Sequence, residues 1–234
     1  WFCESTDKHQ QYLPEVQPSV ATAVPRLYDL LYGRINAQVK SAPRLKQWLF
    51  NQTLKLGRQK INGENLSLID SLLDQLLDKL VRAKVRQRFG GKIRYFISGG
   101  AALNPDVGEF FTSLGIGIIQ GYGQTEASAL ISVNKPSWIQ IDSCGQAFDQ
   151  TELQLAEDGE LLVRGPSLMK GYWDDPKATD GTIKDGWLYT GDLATIDDDG
   201  FVRIVGRKKD LIVTSGGDNI APSKIEALLS SEPD

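Results

Sequence analysis

Ile69, Leu72, Leu73, Leu76, Leu77, Leu80 and Val85 recur at intervals of three and four residues, and no other pattern in the sequence limits the fold as tightly. That spacing gathers apolar side chains on one face of an α-helix, with Asp70, Asp74, Asp78, Lys79 and Arg82 mostly elsewhere. The acids precede the bases, which suits the helix dipole, and Gly90-Gly91 is a stop signal. Upstream, Pro25 can open a helix, Leu27, Leu30, Leu31 and Ile35 share its face, and Leu45, Leu49, Leu54 and Leu56 predict another helix. Residues 1–90 therefore read as helical.

The pattern changes after Gly91. Ile93–Ile97 is a short β-rich run leading into Ser98-Gly99-Gly100-Ala101-Ala102. Asn104-Pro105 reads as an N-cap followed by proline at the first helical position, opening a helix through Phe110 and Phe111. Ile116–Ile119 is a second strand, ending in Gly121-Tyr122-Gly123-Gln124-Thr125-Glu126. Strand, helix, strand with glycine-rich exits is the pattern of a sheet with ligand loops at its carboxyl edge. Residues 136–206 read as all-β, with hairpin turns at Asp158-Gly159 and Asp199-Gly200. Basic residues, a short apolar run, Gly216-Gly217 and a helix after Pro222 follow.

Composition narrows the chemistry. The 234 residues are 41% hydrophobic, with 33 Gly and Pro together, so a sizeable core is affordable. A net charge of −4 argues against nucleic acid as the partner. No apolar run approaches the ~20 residues of a membrane-spanning helix. Cys3 and Cys144 are too few for a disulfide framework or zinc site, and a reducing cytoplasm fits them. His9, the one histidine, makes His-based catalysis an unpromising reading. Asp197-Asp198-Asp199-Gly200 has Thr195 and Gly206 where a calcium loop needs its first and twelfth ligands, and reads as a solvated hairpin tip.

The loop 121–126 carries more. Its glycines permit close backbone approach, Tyr122 offers a flat face to a base, Thr125 a hydroxyl to a phosphate oxygen, and Glu126 a hard oxygen ligand for Mg²⁺. Asp192, read as lying at a strand start, can accept from both hydroxyls of a ribose, and Arg207 can hold the same diol; a surface salt bridge is the competing reading.

The order of motifs resembles the acyl-adenylate-forming superfamily, and most closely the long-chain fatty-acid–CoA ligases. The similarity rests on Ser98-Gly99-Gly100-Ala101, Gly121–Glu126, Gly159–Pro166, Lys170-Gly171-Tyr172-Trp173 and Gly186–Asp192. It continues through Asp199-Gly200-Phe201, Gly206–Ile212, Gly216–Pro222 and Ile225-Glu226, and Val24–Tyr28 is similar to the long-chain branch. The resemblance implies an α/β fold: part of the large adenylate-forming domain, helices plus a mixed sheet, with a small β-barrel subdomain and the start of an α+β C-terminal lid. Its boundaries fall at 1–135 (helical 1–90, nucleotide-binding loops 91–135), 136–208, and 209–234, the hinge and lid start. It implies ATP-dependent activation of a fatty carboxylate to acyl-AMP, then transfer to CoA.

By matching motif, Tyr122 stacks on adenine, between Gly121 and Gly123. Gly99, Gly100 and Ala101 border adenine and the acyl carbonyl, Thr125 binds the α-phosphate and Glu126 the Mg²⁺. Asp192 and Arg207 hold the ribose, Lys209 is the hinge, and Gly216 lines the pantetheine passage. Two family elements are absent, the phosphate loop ending in Pro-Lys-Gly and a C-terminal lysine, and Asp218 stands where a basic residue is common. With Trp1 in place of an initiator Met and a stop at Asp234, the expectation is an internal segment of a longer enzyme, unable alone to complete adenylation. An acyl–acyl-carrier-protein synthetase or fatty acyl-AMP ligase, an inactive AMP-binding scaffold, and a structural interaction protein are the alternatives. Cytoplasmic location is expected, and peripheral membrane contact is compatible with a substrate that partitions into bilayers.

Overall fold

The computed structural model describes residues 9–210, 212–213 and 219–220. The chain divides into two compact units, Trp1–Ile119 and Gln120–Asp234.

The first unit is mostly helical. Helix α1 (His9–Val16) precedes strand β1 (Val20–Ala23). The strand corrects the all-helical reading of 1–90. Val24, held extended before Pro25 (ψ 154°), separates it from the next helix, and parallel pairing with a strand over 70 residues later stabilises it. Helix α2 (Pro25–Lys40) starts on its proline as expected, and α3 (Arg44–Ile61) follows. The apolar periodicity then produces α4 (Leu68–Leu77), a π-helical turn (Asp78–Arg82) and α5 (Ala83–Arg88). Ser67 caps α4 by accepting from the Asp70 N–H at 3.1 Å, and Gly90 and Gly91, both at positive φ, close α5.

Amphipathic helices ordinarily turn their apolar stripe to the core. Helix α4 and the π-helical turn after it do the reverse: Ile69, Leu72, Leu76 and Leu80 are exposed, whereas Asp74 and Arg82 are buried together with Leu77. The Arg82 guanidinium meets Asp74 at 2.7 Å, donates through Nε to the Ser113 carbonyl at 2.8 Å, and reaches the Thr53 carbonyl at 3.3 Å. Lys60 of α3 reaches Asp74 at 2.9 Å. The inward face of this segment thus carries an ion pair beside Leu77, and it ties α3 to the backbone at Ser113.

Strand β2 (Tyr95–Ser98) pairs in parallel with β1, Val20 opposite Tyr95. Helix α6 (Pro105–Ser113) opens as the sequence indicated, Asn104 Oδ1 accepting from the Asp106 N–H at 2.9 Å. Tyr28, Phe89, Phe96, Phe110, Phe111, Leu114 and Ile116 form the core, and the Tyr28 hydroxyl donates to the Ile97 carbonyl at 2.9 Å. Burial drives the Tyr28 phenol well above its usual range, the Ala23 backbone offsetting part of this. Strand β3 (Gly117–Tyr122) carries the chain into the second unit.

There, Gly121 and Tyr122 pair antiparallel with β4 (Ser132–Val133), which pairs with β5 (Gln146–Ala147). Then come β6 (Glu152–Leu155), β7 (Glu160–Arg164), helix α7 (Pro176–Thr182), β8 (Ile183–Lys184), β9 (Trp187–Ile196) and β10 (Val202–Arg207). The antiparallel path β10-β9-β7-β6, with β8 also on β9, makes an open half-barrel around Leu161, Val163, Leu188, Ala194 and Val202. Helix α7 corrects the all-β reading of 136–206: Asp175 caps it, accepting from the Ala178 N–H at 2.9 Å, and Pro176 is its first residue. At the β9–β10 tip Asp197 Oδ1 accepts from the Asp199 N–H at 3.2 Å, an Asx turn, and from the Phe201 N–H at 2.9 Å, which closes the hairpin. Ile212–Val213 and Asn219–Ile220 form a short antiparallel pair, β11 and β12. The helix expected after Pro222 lies outside the described residues. Among the described residues no helix is long and apolar enough to cross a membrane.

Candidate nucleotide site

Two bulges set the geometry. In the β7–β9 ladder Leu162 faces Tyr189, but Glu160 faces Leu193, so Thr190, Gly191 and Asp192 together oppose Leu161. Gly191 takes φ +72°, a conformation that costs a side-chain-bearing residue strain. The Thr190 hydroxyl donates to the Leu161 carbonyl at 2.7 Å and accepts from the Asp192 N–H at 3.1 Å. In the β9–β10 ladder Ile204 faces Ala194 and Gly206 faces Leu193, leaving Val205 as an extra residue. That single residue brings Arg207 opposite Asp192, with both side chains on one face.

Asp192 lies in the middle of β9, which corrects its reading as a strand-start residue. It is 4% exposed. Its Oδ1 meets Arg207 Nε at 2.9 Å, and its Oδ2 accepts from the Tyr122 hydroxyl and from Gln124 Nε2 at 2.7 Å. Gln124 Nε2 also donates to the Thr190 carbonyl at 2.9 Å. The competing surface salt bridge does not describe this pair, because its acid is buried while the Arg207 side chain is half exposed. Burial, and then the hydrogen-bonded Asp192 carboxylate, push the Tyr122 phenol far above its usual range, so it is protonated and a donor.

Thr125–Ala127 form a single 3-10 turn after β3. Thr125 is exposed, and Glu126 is half-buried with Oε1 accepting from the Tyr172 hydroxyl at 2.8 Å. Hydrogen bonding to Glu126, then burial, raise the Tyr172 phenol. Ser128 and Ala129 both adopt positive φ (52° and 79°), and the Ala129 N–H returns to the Gln124 carbonyl at 3.0 Å. Two successive left-handed non-glycine residues are strained, and they fold the loop back on itself. The fold-back explains Gly123 differently from a ligand's approach: a Cβ there would lie 1.7 Å from the Ala129 carbonyl oxygen. Gly123→Ala is expected to displace the 124–129 turn and to lower stability by ~2 kcal/mol or more in urea unfolding, without any ligand present.

The structure therefore brings Tyr122, Asp192 and Arg207 into direct contact. Gly121 sits on β3 beside them in sequence, and Gly99, Gly100 and Ala101 follow β2 in the first unit, Gly100 at φ +85°. Lys209 is exposed in the 3-10 turn Lys208–Asp210, directly after Arg207. Gly216 and Asp218 lie outside the described residues.

Sequence reasoning missed Gln124, Glu160 and Lys208. Glu160 is 5% exposed; its Oε1 accepts from the Gly191 N–H at 2.8 Å and its Oε2 from Lys208 Nζ at 2.8 Å. Asp158 first, and then Glu160, hold the Lys208 ammonium well above its usual range. A charged residue heading the apolar run Leu161-Leu162-Val163 was the one available signal. Among the described residues no group of three His, Cys, Asp or Glu side chains is placed to hold a metal ion.

Comparison with known proteins gives the geometry a context. The profile of the family described as AMP-binding enzyme matches residues 2–173. The long-chain-fatty-acid–CoA ligase FadD15 of Mycobacterium bovis is 35% identical over 218 residues, which cover 93% of this chain and 36% of that protein. The peroxisomal long chain acyl-CoA synthetase 6 of Arabidopsis thaliana is 34% identical, over 92% of this chain and 32% of its own length. This chain thus spans about a third of the length of these relatives. Among solved structures, the o-succinylbenzoate CoA synthetase (MenE) of Bacillus subtilis, in complex with the acyl-adenylate OSB-AMP, superposes with a TM-score of 0.68 at 22% identity, over 98% of this chain and 39% of that one. ATP-bound MatB from Rhodopseudomonas palustris gives 0.67 at 26% identity, over 98% and 38%. The first of these establishes the mixed α/β fold with its half-barrel. With a family profile spanning most of the chain, and relatives at this level of identity along nearly all of it, the chain belongs to the AMP-binding enzyme family.

Proposed function

We propose that this chain is the nucleotide-gripping portion of an enzyme that activates long-chain fatty acids with ATP and passes the acyl group to CoA. The observation that carries this reading is the buried Asp192, fixed between Arg207 and Tyr122 by two strand bulges. A buried carboxylate beside a half-exposed guanidinium suits a vicinal diol, because the acid accepts from two hydroxyls and the guanidinium donates to their oxygens. The names of the relatives supply the substrate class, long-chain fatty acid and CoA. The complexes of the structural neighbours supply ATP and AMP-type ligands.

The chemistry needs little more than placement. A carboxylate is a poor acyl donor; attack of its oxygen on the α-phosphorus of ATP expels pyrophosphate and makes a mixed anhydride. The CoA thiol then attacks the acyl carbon and AMP leaves, so no oxidation change occurs in either step. In this reading the Tyr122 ring faces adenine, and Gly99, Gly100 and Ala101 border the base and the acyl carbonyl. Asp192 and Arg207 fix the ribose, and Thr125 donates to an α-phosphate oxygen. Glu126 would hold Mg²⁺, whose contribution is to neutralise phosphate charge. Orientation of this kind accounts for most of the acceleration such a site supplies. Lys209 as hinge and Gly216 as the wall of the pantetheine passage complete the assignment, with 136–208 as the barrel subdomain and 209–234 as the start of the lid. Peripheral membrane contact draws support from exposed Leu45, Leu72, Leu76 and Leu80, with the exposed cations Lys46, Lys79 and Lys84 along the same helices.

Titration calorimetry on the 234-residue chain tests the nucleotide part. AMP and a non-hydrolysable palmitoyl-adenylate analogue are expected to bind, the analogue more tightly, and adenine alone not measurably. Failure of AMP to bind at millimolar concentration would sink the reading. In the longer enzyme, CoA and a carrier-protein phosphopantetheine compared as acceptors would decide the second half-reaction, with CoA expected to be preferred.

A further inference from the structure

We propose that Glu160 is a positioning residue for the sugar-binding pair, holding both bulges in register rather than touching the ligand; this rests on the nucleotide reading above. A bulge takes backbone groups out of their ladder. Here the Gly191 N–H, one residue before Asp192, points away from a regular strand partner and is received at 2.8 Å by Glu160 Oε1. The other oxygen of the same carboxylate receives Lys208 Nζ at 2.8 Å, one residue after Arg207. One buried side chain therefore joins the residue that precedes the sugar-binding acid to the residue that follows the sugar-binding guanidinium.

The arrangement is over-determined. A carboxylate this buried needs compensation for its charge, and the Gly191 N–H and the Lys208 ammonium supply it. Asp158 Oδ2, 2.5 Å from Lys208 Nζ, keeps that ammonium at the mouth of β7. Thr190 pins the bulge from the opposite side through the Leu161 carbonyl. Asp192 and Arg207 face each other only while both bulges keep their register, and a one-residue slip would turn one of them to the other face of the sheet. A diol is recognised by acid and guanidinium at a fixed separation, so small displacements weaken it disproportionately.

The experiment uses the 234-residue chain, with AMP and 2′,3′-dideoxy-AMP as probes in calorimetry and amide exchange at Gly191 read by NMR. Wild type is expected to prefer AMP over the dideoxy form by about ten-fold or more, the size of hydrogen bonds to charged groups. Glu160→Ala is expected to reduce that preference to about two-fold, to leave dideoxy-AMP binding within about three-fold, and to speed Gly191 exchange about ten-fold. Glu160→Gln, whose amide oxygen still accepts from Gly191, should restore most of the preference. Lys208→Met, which leaves the Glu160 carboxylate its Gly191 N–H donor, should lower it about three-fold and carries the test if Glu160→Ala does not fold. Wild-type preference in the Glu160→Ala chain, or in Lys208→Met in its stead, overturns the proposal whatever Gly191 does, and so does wild-type Gly191 exchange in Glu160→Ala. A wild-type chain indifferent to the diol is a separate failure, visible before any substitution. It overturns the nucleotide reading and with it the sugar role, while Gly191 exchange in the variants still reports whether Glu160 holds the bulge.

Discussion

Replacing Asp74 by alanine is expected to destabilise the first unit by ~3–5 kcal/mol, the cost of leaving a buried charge without its partner. Arg82 is 5% exposed, and its guanidinium is divided among Asp74, the Ser113 carbonyl at the end of α6 and the Thr53 carbonyl of α3. Removing the carboxylate leaves the cation facing carbonyl dipoles alone. Replacing both residues by apolar ones of similar volume, Asp74→Leu with Arg82→Met, should recover most of the loss, since the pair's attraction is largely offset by its desolvation. Urea unfolding of the three chains checks this, and equal midpoints for wild type and Asp74→Ala would refute it. The pH dependence has a definite sign. Burial raises the Asp74 carboxyl, but hydrogen bonds from Lys60 and Arg82 outweigh it, and the folded value lies below the ordinary one. A depressed carboxyl stabilises above its unfolded value, near 3.9, and that contribution is lost as pH falls through the folded value. The stability gap between wild type and Asp74→Asn should be full at pH 5–7 and should narrow steadily below about pH 4.

The same residues show how far the sequence carries. Periodicity located α4, yet it cannot say which face is turned inward: the wheel has an apolar side and an ionic side, and the choice depends on Ser113 and Thr53, brought close by tertiary packing. Asn104-Pro105 was read correctly as a helix start, whereas Asp175-Pro176 carries the same capping chemistry and went unread inside a stretch of strands. Strand β1 has only four residues and owes its existence to pairing with β2. At the site, Tyr122, Asp192 and Arg207 were legible as residue types in ordered motifs. The bulges that bring the acid and the guanidinium face to face are differences of one or two residues in pairing register, invisible without the partner strand. Gly123 was legible as a residue that permits close approach, but what approaches it is the Ala129 carbonyl of its own loop.

Asp192→Ala should lower AMP affinity by about 100-fold, or ~3 kcal/mol, as two hydrogen bonds from the ribose to a charged acceptor are lost. The size follows from where the carboxylate sits. Its burial removes competition from water, and its bonds from Tyr122 and Gln124 and its contact with Arg207 hold it in one orientation before a ligand arrives. The variant should then bind AMP and 2′,3′-dideoxy-AMP equally, because the discrimination resides in the missing group. Stability should suffer less than binding, by ~1–3 kcal/mol: the half-exposed Arg207 can hydrate, leaving the Tyr122 hydroxyl and the Gln124 amide as the groups without an acceptor. Arg207→Ala reverses the balance, since it strips the cation from a buried acid that Tyr122 and Gln124 still solvate, and it should cost stability comparably while weakening AMP by only about ten-fold. Calorimetry with both nucleotides, alongside urea unfolding of both variants, separates the two effects. An Asp192→Ala chain that still favours AMP over its dideoxy form would place the ribose elsewhere and remove the reason for the two bulges.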